Sequence, residues 1–158
     1  MNTFLLYWNP HFSGYKVENF LNDFDFEEER DLLTEDDWGL PDDFNWSIVE
    51  HENAHDGDRF FFVRVGNGKP TGMFGAGYFT SEPSEDKDWS GQGRKAFCVD
   101  LQFDEIIKPD SDKILSTDVL SAAIPEIDWT VGKAGTLIAP ELAEKIEDLW
   151  KQHIESIW

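Results

Sequence analysis

Four of the seven tryptophans in this chain lie among small polar residues instead of in apolar runs. They occur in the tripeptides Trp8-Asn9-Pro10, Asn45-Trp46-Ser47, Asp88-Trp89-Ser90 and Asp128-Trp129-Thr130. A tryptophan ring offers a flat face for stacking, and a neighbouring amide or hydroxyl offers hydrogen bonds beside it. That combination suits a planar, polar ligand such as a nucleobase.

Three of these tryptophans are the strongest candidates for a binding site. Trp8, Trp46 and Trp89 each fall at the end of a predicted strand or in a predicted loop, next to Asn, Ser or Asp. We expect the three rings to form an aromatic cage, in which Asn9 and Ser47 supply hydrogen bonds to the edge of the ligand. The alternative is that the rings pack along the edge of the sheet.

The other four tryptophans are weaker candidates. Trp150 and Trp158 lie on or just beyond a predicted helix at the end of the sequence, so we expect them to pack that helix. For Trp38 and Trp129, packing in the core or at an edge is favoured over ligand binding.

The remaining chemistry-bearing residues give little support for catalysis. Cys98 lies in an apolar strand without a neighbouring base, so a structural role is expected. His51 and His55 are four apart, but Asn, Asp and Gly nearby indicate a turn, so neither a metal site nor a cofactor is expected. A binding role for His11 is left open. If the chain is an enzyme acting on nucleotides or RNA, then His11, His55 and Asp88 are the first residues to consider.

The net charge is strongly negative and unevenly distributed. The formal charge is -20, and residues 18–58 contain 16 acidic residues against one basic residue, Arg30. Since phosphate contacts dominate affinity for nucleic acid, this charge argues against strong nonspecific DNA binding. The acidic stretch is either a solvated surface, a docking face for a basic protein, or a mimic of nucleic-acid charge.

Length and composition favour one folded domain spanning residues 1–158. Hydrophobic residues make up 40% of the chain and aromatic residues 15%, which is sufficient for a core. A single cysteine excludes an internal disulfide. Because neither a signal peptide nor a membrane-spanning apolar run is recognisable, we expect no membrane partner and a cytoplasmic location.

The hydrophobic pattern predicts an α+β fold. Alternating or continuous apolar runs predict strands, and apolar residues at three- and four-residue steps predict helices. The predicted strands cover residues 3–8, 45–50, 59–65, 71–81, 94–107 and 132–138, and the predicted helices cover residues 16–24, 117–124 and 140–157, with a further short helix possible within 25–43. This order is typical of a curved mixed or antiparallel sheet that closes toward a barrel, with flanking helices.

The ordered set of motifs resembles the PUA-like superfamily, in particular the EVE domain family, with similarity to YTH domains. Its central part is residues 57–63 (GDRFFFV), followed by a Gly-Lys-Pro loop and residues 72–78 (GMFGAGY). Trp8-Asn9-Pro10 stands where EVE domains typically carry Ser-Glu-Pro. Asn45-Trp46-Ser47 and the loop around Trp89 resemble the pocket segments of YTH domains, and residues 135–140 (GTLIAP) resemble the end of the family's domain.

The resemblance implies a non-catalytic domain that binds a modified nucleobase in DNA or RNA, or a free nucleotide-like ligand. Trp46 and Trp89 would stack on the base, while Asn9 and Ser47 would contact its edge. Each stacked base is worth about 1–3 kcal/mol. A protein that binds a basic partner through its acidic face, and an enzyme acting on nucleotides or RNA, remain the alternatives.

Overall fold

A computed structural model describes residues 1–26, 30–34, 40–41, 44–87 and 95–157 of the chain. Within these ranges the chain forms nine strands and three helices. The strands are β1 (Thr3–Trp8), β2 (Leu32–Thr34), β3 (Asn45–Ser47), β4 (Arg59–Arg64), β5 (Gly72–Phe79), β6 (Ser84–Lys87), β7 (Lys95–Ile107), β8 (Leu115–Ser116) and β9 (Ala134–Ile138). The helices are α1 (Val17–Asp23), α2 (Thr117–Ala123) and α3 (Pro140–Ile157), and His51–Asn53 forms a short 3-10 turn.

Strands β1 and β4 pair in parallel, with Trp8 opposite Arg64. The main path runs β2-β7-β5-β4-β1-β9, and the pairs other than β1–β4 are antiparallel. A parallel pair needs a long crossover, and here the chain between β1 and β4 supplies it, including α1, β2 and β3. As a consequence, the carboxyl ends of β1 and β4 lie side by side.

The predicted α+β class is confirmed, because a mixed sheet is combined with helices. The sheet is not closed into a barrel, however, since its path ends at β2 and β9. The chain after β3 approaches the β9 end, where Val49 N–H donates to the carbonyl oxygen of Ala134 at 2.9 Å. Among the described residues this contact does not extend into a ladder between β3 and β9, so the closure expected from the sequence is not reached.

Strand β7 organises much of the sheet. Its first half pairs with β3 and β6, and its second half pairs with β2 and β5. Gly77 on β5 permits close packing at a register shift beside β7, where a Cβ atom would lie 2.1 Å from the carbonyl oxygen of Gln102. Glycine is therefore needed at this position for the close approach of the two backbones. The short helix considered within 25–43 is wrong for its described part, since Leu32 and Leu33 form β2 against β7.

The core contains an aromatic cluster packed on α1. Phe20 of α1 contacts rings from several strands, including Phe62 and Phe74. Phe61 of β4 instead meets Trp150 of α3, with ring centroids 6.3 Å apart. Helix α3 begins at Pro140, as predicted, and buries Ile146, Trp150 and Ile154 at four-residue steps along one face.

Candidate functional site at the carboxyl ends of β1 and β4

Trp8 is a core residue. Its side chain is 2% exposed, and its indole N–H donates to the carbonyl oxygen of Tyr15 at 2.8 Å. The ring packs against Phe20 and Phe74, with centroids 4.9 and 5.5 Å apart. This arrangement satisfies both the apolar ring and its single donor, so the structure corrects the expectation that Trp8 presents an open face at a strand end.

Trp46 belongs to the same aromatic cluster as Trp8. It is 7% exposed and packs against Phe62 at 5.0 Å and Phe44 at 5.8 Å. Phe20 contacts both tryptophans, at 4.9 Å for Trp8 and 6.4 Å for Trp46. The structure therefore brings Trp8 and Trp46 into one cluster, in which Phe20 packs against both rings.

Ser47 and Trp89 complete the predicted cage residues. Ser47 is exposed on β3, opposite Cys98 of β7. Trp89, like Asp88, Trp38 and Trp158, lies outside the described residues. The contact of Trp46, Ser47 and Trp89 with a ligand stays a prediction.

Asn9 is the predicted site residue that lies in a cleft. It follows β1 directly, beside Gly66 and Asn67, which follow β4. Gly66 has a φ of 108°, and a Cβ atom there would lie 2.6 Å from the side-chain oxygen of Asn9. Glycine is therefore required for this conformation and for close packing against the amide. The same side-chain oxygen accepts a hydrogen bond from the backbone N–H of His11 at 3.0 Å, which fixes the amide.

A cavity of about 340 Å³ opens on one side of Asn9, and we call it the Asn9–Trp129 cavity. Its lining includes two amides, three hydroxyls and one indole, from Asn9, Asn67, Thr71, Thr117, Thr130 and Trp129. The hydroxyl of Thr117 donates to that of Thr71 at 2.9 Å. This volume is at the lower end of the range of about 300–1,000 Å³ typical of small-molecule sites.

Trp129 reaches this cavity from the segment between α2 and β9. The ring is 1% exposed, and its N–H donates to the carbonyl oxygen of Ile124 at 3.0 Å. The hydroxyl of Tyr7 on β1 donates to the carbonyl oxygen of Asp128 at 2.6 Å, which ties the segment to the sheet. The packing favoured for Trp129 from the sequence is therefore observed, but a part of this residue also lines the cavity.

Sequence reasoning missed Asn67, Thr71 and Thr117 as cavity residues. They come from a loop, the residue before β5 and the first residue of α2, so no local pattern connects them. Asn67 could have been found only through its position after a strand parallel to β1, which places it beside Asn9.

A second cavity, of about 300 Å³, is also lined by Asn9, and we call it the Lys16–Arg64 cavity. Asn9 and Asn67 line both cavities. The second cavity differs in its charge, because Lys16 and Arg64 line it together with the single carboxylate of Glu18. In a chain of net charge -20, these two cations make the cavity a locally basic place. His11, whose binding role was left open, also lines it.

A third cavity, of about 340 Å³, lies between β4, β7 and α3 and is dominated by ion pairs. Arg59 donates to carboxylate oxygens of Asp104 and Glu147, each at 2.8 Å. Burial opposes ionisation of Arg59, but these two carboxylates raise its pKa. Burial raises the pKa of Glu105, which accepts a hydrogen bond from the indole of Trp150 at 3.0 Å. We assign this cavity a structural role, because its buried cation, Arg59, is already paired with two carboxylates.

Residues 51–55 read His-Glu-Asn-Ala-His, a pattern that on an α-helix would place two zinc-binding histidines on one face. Here His51 packs against the ring of Phe97, while His55 pairs with Glu82 at 3.0 Å. The segment forms a 3-10 turn instead of an α-helix. No group of three or more metal-binding side chains occurs within the described ranges.

Comparison with known proteins found no matching family model and no matching curated protein. Within the described part of the chain, the helices are too short or too polar to cross a membrane.

Proposed function

We propose that this protein is a binding domain, without catalytic activity, for a nucleobase or nucleotide-like ligand, and that the ligand occupies the Asn9–Trp129 cavity. The observation that carries the proposal is the fixed amide of Asn9 at the edge of this cavity. Its oxygen is held by His11, whereas its NH₂ group has no acceptor among the described residues. A nucleobase offers ring nitrogens and carbonyl oxygens that would accept a hydrogen bond from this group.

The other lining residues support a polar ligand. Asn67, Thr71 and Thr130 provide donors and acceptors around the cavity, whereas Trp129 is 1% exposed and lines it with only a small part of its surface. Hydroxyl groups can both donate and accept, so they suit the mixed edge of a base or the hydroxyls of a sugar. The described residues of this cavity include no charged side chain, which agrees with recognition of a neutral group.

The resemblance to EVE domains within the PUA-like superfamily supports the same ligand class and is part of this proposal. It implies a modified base, with Trp46 and Trp89 as stacking partners and Ser47 near the edge. Asn9 belongs to both versions of the site. Variants at Asn9 therefore test the ligand class. Variants at Trp46 test whether the indole of this residue stacks on the ligand.

Replacing Asn9 with alanine should weaken nucleoside binding about five- to tenfold, because one hydrogen bond contributes about 1 kcal/mol. Asn9→Asp should weaken it at least as much, since a carboxylate cannot donate where the amide NH₂ does. We suggest titrating cytidine, 5-methylcytidine, adenosine and N6-methyladenosine by isothermal calorimetry, with tryptophan fluorescence as a second readout.

Asn22→Ala is the matched control, because Asn22 is exposed on α1 and lines none of the three cavities. It should bind like the wild type. If none of the four nucleosides binds the wild type, the proposed function is wrong. If binding is lost in Trp46→Ala but unchanged in Asn9→Ala, the ligand does not occupy the Asn9–Trp129 cavity, and the role of Asn9 in either version of the site is wrong.

A second candidate function is recognition of a basic protein. The observation that favours it is the exposure of most acidic side chains in the described parts of residues 18–58. These exposed residues include Glu18, Asp23, Asp25, Glu50, Glu52 and Asp56. Such a surface attracts a cationic partner in a salt-dependent way.

The double variant Asp25→Asn, Glu52→Gln should weaken binding of an arginine-rich peptide at low salt. The double variant Glu141→Gln, Glu144→Gln carries the same change in charge on α3 and is the control. Fluorescence anisotropy of a labelled peptide is the measurement. Equal weakening in both variants would mean that only net charge matters, and a specific acidic docking face would be excluded.

A further inference from the structure

Arg64 is a buried cation to which the described residues supply no carboxylate salt bridge. It is 7% exposed, and its Nη1 donates to the carbonyl oxygen of Pro109 at 2.9 Å. Its Nε is buried and has no hydrogen-bond acceptor. Within the described residues no acidic side chain forms a salt bridge with it, whereas Arg59 on the same strand binds two carboxylates.

An unpaired buried charge is costly for folding. Removing an ion from water costs several kcal/mol unless a counter-charge and hydrogen bonds replace the water. In agreement, burial lowers the pKa of Arg64, although Asp110 acts weakly in the opposite direction. The fold therefore keeps a cation in a place that disfavours it, which is expected where an anionic ligand provides the missing partner.

The side chain borders a space that such a ligand could enter. Arg64 lines the Lys16–Arg64 cavity, and a Cβ atom on Gly68 would lie 3.1 Å from its Nη2. Glycine at position 68 thus leaves room beside the guanidinium group. Lys16 lines the same cavity, and its ammonium group donates to the carbonyl oxygens of Pro10 at 2.9 Å and His11 at 3.2 Å. These two bonds hold the ammonium in place and leave its third N–H for a ligand.

We propose that the Lys16–Arg64 cavity binds the phosphate group of a ligand whose base lies in the Asn9–Trp129 cavity. This inference rests on the proposed function for the position of the base. Asn9 and Asn67 line both cavities, so one nucleotide bound beside these two residues would reach both. Arginine and lysine supply the charge-assisted hydrogen bonds that a phosphate requires, and Glu18 limits the local excess of positive charge.

The test compares a nucleoside with its 5′-monophosphate by isothermal calorimetry. The wild type should bind the monophosphate at least about tenfold more tightly, because hydrogen bonds to charged groups are stronger than neutral ones. Arg64→Gln should remove this advantage and leave nucleoside affinity within about twofold of the wild type. Lys16→Gln should remove part of it. Lys133→Gln, at an exposed position outside the three cavities, should behave like the wild type.

Thermal unfolding distinguishes a binding role of Arg64 from a structural one. Arg64→Gln should unfold at the same temperature as the wild type or higher, because an unpaired buried charge has been removed. A dinucleotide with only an internal phosphodiester, compared with the 5′-monophosphate, identifies the source of the phosphate. Tighter binding of the dinucleotide indicates a nucleic-acid strand, and tighter binding of the monophosphate indicates a free nucleotide.

Two results would overturn the phosphate site: equal affinity of the wild type for nucleoside and monophosphate, or an advantage that survives in Arg64→Gln. The proposed function can fail separately. If nucleosides do not bind but inorganic phosphate binds in an Arg64-dependent way, the phosphate site stands and the base site is wrong.

Discussion

Replacing Phe20 with alanine should lower the free energy of unfolding by about 3–5 kcal/mol, the range observed when a buried aromatic side chain is truncated. Phe20 is fully buried on the single described helix of the N-terminal half, and its ring packs against Trp8, Phe62 and Phe74. The aromatic side chains of the flanking strands cannot easily move into the space left by Phe20, because each of them packs against further aromatic neighbours. Most of the lost volume should therefore remain as a cavity. Urea denaturation followed by circular dichroism measures the change.

Phe12→Ala provides the matched control for the same chemical change. Phe12 is 83% exposed, so its truncation should alter the free energy of unfolding by less than about 0.5 kcal/mol. Similar losses in the two variants would contradict the central role of Phe20 in the core.

The Phe20→Ala variant also examines the relation between Trp8 and Trp46. Removing the ring that contacts both would leave an apolar space between them, and apolar cavities of this kind accept small aromatic guests. We expect indole to raise the unfolding temperature of the variant and to leave that of the wild type unchanged.

Replacing Arg59 with methionine should lower the free energy of unfolding by about 3 kcal/mol at neutral pH, because it leaves buried or half-buried carboxylates without their partner. Arg59 binds Asp104 and Glu147, and its guanidinium carbon lies 4.9 Å from the ring centre of Phe61 and 4.6 Å from that of Tyr78. We place the effect at the lower end of the range for buried pairs, since the side chain of Glu147 is 41% exposed. Arg64→Gln, on the same strand, is the comparison and should not destabilise the fold.

The loss in free energy of unfolding caused by Arg59→Met should be smaller in acid than at neutral pH. In the wild type, burial followed by repulsion from Asp104 raises the pKa of Glu105, while Arg59 lowers it. Without Arg59 the pKa of Glu105 should rise further. A carboxyl group with a raised pKa in the folded state favours folding while it is protonated and loses that contribution as the pH rises through the folded-state pKa. The difference between variant and wild type should therefore be largest at neutral pH, and a difference that grows in acid would contradict this account.

The sequence predicted most of the elements that carry the candidate site, because their patterns are local. The apolar run of β1, the glycine-containing β5, the alternating β7 and the helix α3 that begins at Pro140 are all found near their expected positions. By contrast, β2 has only three residues, and its pairing with the far end of β7 leaves no local signal.

The tryptophans show why polar neighbours misled the prediction of exposed rings. Successive side chains of a strand point to opposite faces, so the neighbours of a residue describe the other side of the sheet. In β3, Trp46 is buried between exposed Asn45 and Ser47. The polar tripeptide is thus what a half-buried strand produces, and it carries no information about the space around the indole.

The buried arginines could not be predicted from sequence for a related reason. Arg59 and Arg64 are the first and last residues of β4 and resemble charged ends of an apolar strand. Their different environments depend on α3 and on the segment at Pro109, which are distant in sequence. The candidate site depends on the same kind of long-range contact, and only Asn9 of its lining was identified in advance.

The position of β7 has a consequence for synthesis of the chain. Strands β2, β3 and β6 all pair with β7, and they precede it in the sequence. During translation these strands leave the ribosome before β7 does. Their backbone hydrogen bonds to β7 can form only after residues 95–107 have also emerged. The pairing is also long-range, so it should form slowly and cooperatively. A nascent chain stalled before β7 should therefore expose its aromatic residues and bind chaperones, whereas one stalled after α3 should not.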